Sequence, residues 1–117
     1  MVYLPPAAQD RLLDQVTELS AVGSRFATEN IPDIGSFTDE RSECWRNRWR
    51  RHGLDTDVAD LVWGGIRHPA AEYLASAGWR VTDHTMAAPY TANGVSLPDH
   101  EAMNVYRESS LIVAQLS

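Results

Sequence analysis

Seven glycines punctuate this chain, at positions 23, 35, 53, 64, 65, 78 and 94, and they form neither a G-x-G pair nor a G-x-x-x-x-G-K loop. Backbone cradles for dinucleotides and phosphates use such turns so that the main chain can approach the phosphate closely. Here Met1-Val2 leads directly into Tyr3-Leu4-Pro5-Pro6 and a helix, with no glycine-rich turn ahead of it. If the remainder reads as α/β, the turn that grips phosphate in such a fold would lie before this point. The chain is therefore expected to hold the rear of an α/β sheet without its front.

The remainder does read that way. Pro5 and Pro6 suit a first helical turn, and Ala8, Leu12, Val16 and Leu19 recur at helical spacing, which predicts a helix over 5–22 stopped by Gly23. Arg25–Glu29 predicts a short strand, broken by Pro32-Asp33. Ser36 with Asp39, or Thr38, offers a cap for a helix running to about Arg51. The apolar side of that helix carries Phe37, Cys44, Trp45 and Trp49, and its solvent side carries Glu43, Arg46, Asn47 and Arg50. Arg41 and Arg48 fall on or beside the apolar side. Asp55-Thr56-Asp57 predicts a short helix to about Trp63, and His68-Pro69 opens another, with Tyr73, Leu74 and Ala77 inward and Gly78 as its stop. Trp79–Met86 predicts a strand, 87–98 a loop, Asp99–Arg107 a short helix, and the apolar run Ser110–Leu116 a buried strand. Strands alternating with helices point to one layered α/β domain spanning 1–117, thin because only about three strands are visible.

Composition narrows the function classes. No stretch approaches the roughly 20 apolar residues of a membrane helix, and the single Cys44 fits a reducing compartment, so a cytoplasmic protein without membrane contact is expected. A net charge of −6 argues against general nucleic-acid affinity. All ten basic residues are arginine, so no lysine can serve as a Schiff-base nucleophile. Neither C-x-x-C nor H-E-x-x-H occurs, and no metal site is expected.

Segment 41–51 joins five arginines to two tryptophans. Nucleic-acid contact by basic and stacking side chains is one reading; an amphipathic helix with core tryptophans and solvated arginines is the simpler one. Within the latter, Arg41 or Arg48 could hold a substrate carboxylate. Cys44 reads as a buried structural thiol. Glu29 ends a strand, where α/β sheets keep their functional edge, and Tyr3 is a candidate by the same positional reasoning.

Tyr3-Leu4-Pro5-Pro6-Ala7-Ala8-Gln9-Asp10-Arg11-Leu12, Gly23-Ser24-Arg25 with Thr28-Glu29, Trp63-Gly64-Gly65-Ile66-Arg67, and Tyr73-Leu74 through Gly78-Trp79 occur in this order. Together they resemble the later part of actinobacterial S-adenosylmethionine-dependent methyltransferases related to leucine carboxyl methyltransferases. The resemblance implies that the three strands are the fifth, sixth and seventh of a class I, Rossmann-like methyltransferase sheet. It implies a small-molecule methyl acceptor and S-adenosylmethionine as donor in the parent family. The family's glycine-rich loop and its acidic ribose and adenine contacts have no counterpart here, so no residue of this chain is expected to bind the donor, and the chain alone is expected to be inactive. Tyr3, Glu29, Arg41 and Arg48 are the substrate-side candidates. The alternative is a non-catalytic module that pairs with a companion chain, or with itself, through an incomplete sheet.

Overall fold

The computed structural model describes residues 1–32, 43–100 and 103–117. Helix α1 spans Pro6–Leu19, with proline in its first turn. It ends three residues earlier than expected, because Ser20 is already extended and Gly23, at φ +88°, makes the turn into strand β1, Arg25–Asn30. The Gly23 amide donates to the Leu116 carbonyl at 2.9 Å, which fastens this turn to the last strand.

The buried face of α1 is the expected stripe only in part, since Val16 packs against the core. Leu13 and Gln9 are buried, whereas Leu12 is 37% and Leu19 88% exposed. Two polar side chains explain the rotation. Gln9 Nε2 donates to the His68 carbonyl at 2.9 Å, and the Trp79 indole N–H donates to the Thr17 hydroxyl at 2.8 Å. An inward face that satisfies polar partners in this way is invisible to an apolar pattern.

Helix α2 spans Glu43–Arg51; its expected caps, Phe37 and Arg41 lie outside the described residues. Trp45 and Trp49 are half-buried and Arg48 is exposed, but Cys44 is half-buried rather than fully buried. Arg46, expected to be solvated, is half-buried and pairs with Asp57 at 3.3 Å. The helix expected over 55–63 is a single 3₁₀ turn, Val58–Asp60, where Asp57 Oδ1 accepts the Ala59 amide. Helix α3, Ala70–Ser76, and strand β2, Trp79–Thr85, follow as expected, with Gly78 at φ +91° between them. The expected loop 87–98 opens with a short helix α4, Ala87–Ala92, in which Pro89 occupies the tolerant first turn and its carbonyl accepts the Asn93 side-chain amide. Helix α5 occupies only Asn104–Glu108 of the expected 99–107, and strand β3 is Ser110–Leu116.

The sheet order is β1-β3-β2, with β3 central and antiparallel to both neighbours. β1 and β2 are therefore parallel to each other, joined by the helical crossover that contains α2 and α3, and the last strand slots between them. One face carries Phe26, Ile112, Ala114, Val81 and Trp79, and packs on Leu13 of α1 and on Ala70 and Leu74 of α3. The other face carries Arg25, Ala27 and Glu29 opposite Gln115, Val113 and Leu111, with Arg80, Thr82 and His84 beyond them. Its β1 and β2 members are all exposed.

Candidate functional site

The end of β1 borders a hollow of about 640 Å³, which also touches the first residues of the chain and the segment 64–70. Its wall is organised by Arg67. That guanidinium donates to the carbonyls of Met1 (3.3 Å), Leu4 (3.2 Å) and Trp63 (2.7 Å) and to Gln9 Oε1 (3.1 Å). The Trp63 amide donates to the Val2 carbonyl at 2.9 Å, so backbone and side chain together lash residues 1–4 to 63–67. Gly65 turns here at φ +100°, where an added Cβ would meet Pro6 Cγ at 3.6 Å, so backbone conformation rather than space requires glycine. Next to it, His68 Nδ1 lies 2.8 Å from Asp10 Oδ2, and the Tyr73 hydroxyl donates to Asp14 at 2.9 Å, which raises the Tyr73 phenol above its ordinary value.

Glu29 lines this hollow. Burial pushes the Met1 ammonium below its usual value, the Glu29 carboxylate opposes that shift, and Arg67 reinforces it. Glu29 also acts on Tyr106 at the edge of α5. Burial raises the Tyr106 phenol above its ordinary value, and the fields of Glu29, Tyr3 and Tyr90 add to the rise. Trp45 of α2 lies edge-on to Tyr106 at 5.9 Å. Of the four expected residues, Glu29 lines the larger hollow, and Tyr3 follows Val2, which lines it too. Tyr3 itself is 61% exposed.

Arg48 lies elsewhere. It borders a second hollow of about 510 Å³ together with Cys44, Asn47, Arg51, His52 and His100. Arg41 lies outside the described residues.

Three contributors escaped sequence reasoning. Tyr90 and Tyr106 sit in stretches read as loop and weak helix, and only the folded chain brings Tyr106 under the fields of Glu29 and Tyr90. Arg67 and its receptor carbonyls were visible as the Trp63–Arg67 motif, but without a role.

The larger hollow offers one carboxylate, Glu29, beside backbone-bound Arg67. Among the described residues Glu29 is the sole acidic side chain on the larger hollow, and the Arg67 guanidinium on its wall already donates to protein oxygens. Among the described residues no three histidine, cysteine, aspartate or glutamate side chains converge on a metal position. No described helix is long and apolar enough to cross a membrane.

The fold defines an α/β protein with a small three-stranded sheet, and no family model matches the chain. Curated relatives are nonetheless close in sequence. The chain is 47% identical over 115 residues to a protein of Mycobacterium avium (strain 104) that is provisionally named an S-adenosyl-L-methionine-dependent methyltransferase. Proteins given the same provisional name in Mycobacterium marinum and Mycolicibacterium smegmatis are 45% and 50% identical over 112 and 99 residues. These alignments cover 98%, 96% and 85% of this chain but only 38%, 37% and 33% of the relatives. The chain therefore spans little more than a third of the length of the curated relatives it matches.

Proposed function

We propose that this chain forms the C-terminal, acceptor-side part of a cytoplasmic S-adenosyl-L-methionine-dependent methyltransferase related to leucine carboxyl methyltransferases. In this reading β1, β2 and β3 are the fifth, sixth and seventh strands of a class I sheet. The parent enzyme methylates an oxygen of a small molecule. Tyr3 and Glu29 face that acceptor, with Glu29 accepting a hydrogen bond from its hydroxyl, and Tyr106 and Trp45 supply the aromatic wall. Arg41 and Arg48 are proposed to hold an anionic group.

The observation that carries the reading is the 47% identity sustained over 115 residues of a relative bearing that name. It is supported by the exposed β1 and β2 residues on the sheet's second face. Methyl transfer then needs further polypeptide to grip the donor, and the isolated chain is inactive.

Calorimetry with S-adenosyl-L-methionine tests this in two steps. The chain alone is expected to give no binding heat. The chain mixed with a polypeptide carrying the rest of a mycobacterial relative is expected to bind the donor more tightly than that polypeptide by itself. Stoichiometric donor binding by the chain alone would overturn the proposal, as would a mixture no better than the second polypeptide.

A second reading, a non-catalytic pairing module, is favoured by one feature: among the described residues β1 and β2 each pair on one side only. An open strand edge can extend a sheet across two chains. A concentration-dependent dimer on sizing columns, unchanged by the complementing polypeptide, would favour it over methyl transfer.

A further inference from the structure

The arginines of α2 divide into two kinds. Four lie in the helix, and Arg46 pairs with Asp57 at 3.3 Å while Arg50 reaches Asp55 at 3.9 Å. Arg48 and Arg51 have no acidic partner among the described residues, although the chain carries 16 acidic side chains against 10 basic ones. Both line the second hollow, of about 510 Å³, and among the described residues no carboxylate lines it with them. Its other residues are Asn47, His52, His100 and Cys44, and none of these carries a negative charge as amide, imidazole or thiol.

Cations near a helix C-terminus can be explained by the carbonyls left open there. That explanation is weak for this helix. The Trp49 carbonyl already accepts the amides of His52 and Leu54, and the Arg50 carbonyl accepts that of Gly53, each at 3.0 Å. A metal is also a poor occupant, since no three ligating side chains converge among the described residues. Two guanidiniums three positions apart face one way around a helix and repel each other. An oxyanion between them removes that repulsion and takes charge-assisted hydrogen bonds from planar donor forks.

We propose that the hollow lined by Arg48, Arg51, Asn47, His52 and His100 is a binding site for the carboxylate or phosphate group of a small molecule. The site stands independently of methyl transfer, because it requires only the pairing pattern of α2.

The test is a side-chain nuclear magnetic resonance titration of the 117-residue chain with sodium phosphate and, separately, sodium acetate. Sodium chloride at equal ionic strength is the control. Saturable shifts at the Arg48 and Arg51 guanidinium signals are expected, and the tighter arm identifies phosphate or carboxylate as the preferred group. R48Q and R51Q should each weaken binding roughly tenfold or more, as loss of a charged hydrogen-bond donor does. R48K keeps the charge and loses the fork, so it should weaken binding as well. R50Q, which touches the arginine already facing Asp55, should leave it unchanged. Shifts no larger than those with chloride would overturn the site, as would an R50Q loss equal to that of R48Q.

Discussion

Arg67 carries more connections than any other described side chain, and their geometry makes it irreplaceable by a generic cation. Its two terminal nitrogens serve three carbonyls and one amide oxygen spread over residues 1–9 and 63. Lysine offers a point charge on a flexible stem and can reach one or two of them. Arg67→Lys is therefore expected to lower the unfolding free energy by about 2 kcal/mol, in the range of one charged hydrogen bond lost, and Arg67→Ala by more. Urea midpoints at unchanged slope would check both. Asp57 illustrates a pH-dependent contact at the same scale. The Ala59 amide holds its carboxyl below the usual carboxylate range, with the Arg46 guanidinium helping against the opposing effect of burial. A carboxylate stabilised by folding adds stability above its unfolded pKa, and that stability is lost as pH falls through the lowered folded value. The stability gap between the native protein and Asp57→Asn should thus be constant near neutrality and close on strong acidification, read from thermal melts across pH.

Among the elements, α1 shows what periodicity captures and what it misses. Its existence and start follow from Pro5, Pro6 and the spacing of apolar residues, yet its inward face is set by Gln9, Leu13 and Thr17. Leu13→Ala should cost about 2–4 kcal/mol through transfer and cavity terms, whereas Leu19→Ala, at an 88% exposed position, should stay within about 0.5 kcal/mol. A stripe centred on Leu12 and Leu19 would predict the reverse, so denaturant curves for the pair decide between the two faces. β3 was legible because an unbroken apolar run suits a central strand, and β2 because aromatic and β-branched residues follow a glycine stop. The antiparallel insertion of β3 between β1 and β2 was not legible, since pairing partners are chosen by tertiary contacts far apart in sequence. The short helix α4 was missed for a related reason: Pro89 and Asn93-Gly94 read as breakers, whereas Pro89 sits in a first turn and Asn93 caps the last. The candidate site divides in the same way. Strand-end position marked Glu29 and Tyr3, but the field of Glu29 on Tyr106 and the packing of α4 on β2 arise only in the folded chain.

Taken whole, the molecule is broader than a closed domain. Its radius of gyration is 15.9 Å, against about 13 Å for a compact domain near this size. The sheet packs Phe26, Trp79, Ile112 and Ala114 under α1 and α3 and leaves Ala27 and Thr82 open on the far side. A two-layer fold with one bare sheet face gains from a second cover, and a partner binding only the folded form stabilises it by mass action. Under the proposed reading that cover is the rest of the methyltransferase, and Ala27, opposite Val113, lies at the seam. Ala27→Arg places a charge where the isolated chain meets solvent, so its own melting should change little. In the complemented protein the same charge would be buried without a partner, at a cost of several kcal/mol, and complex formation on a sizing column should collapse. If Ala27→Arg complements as well as the native chain, the bare face is not where the remaining polypeptide seats, and the order of strands assigned to the parent sheet falls with it.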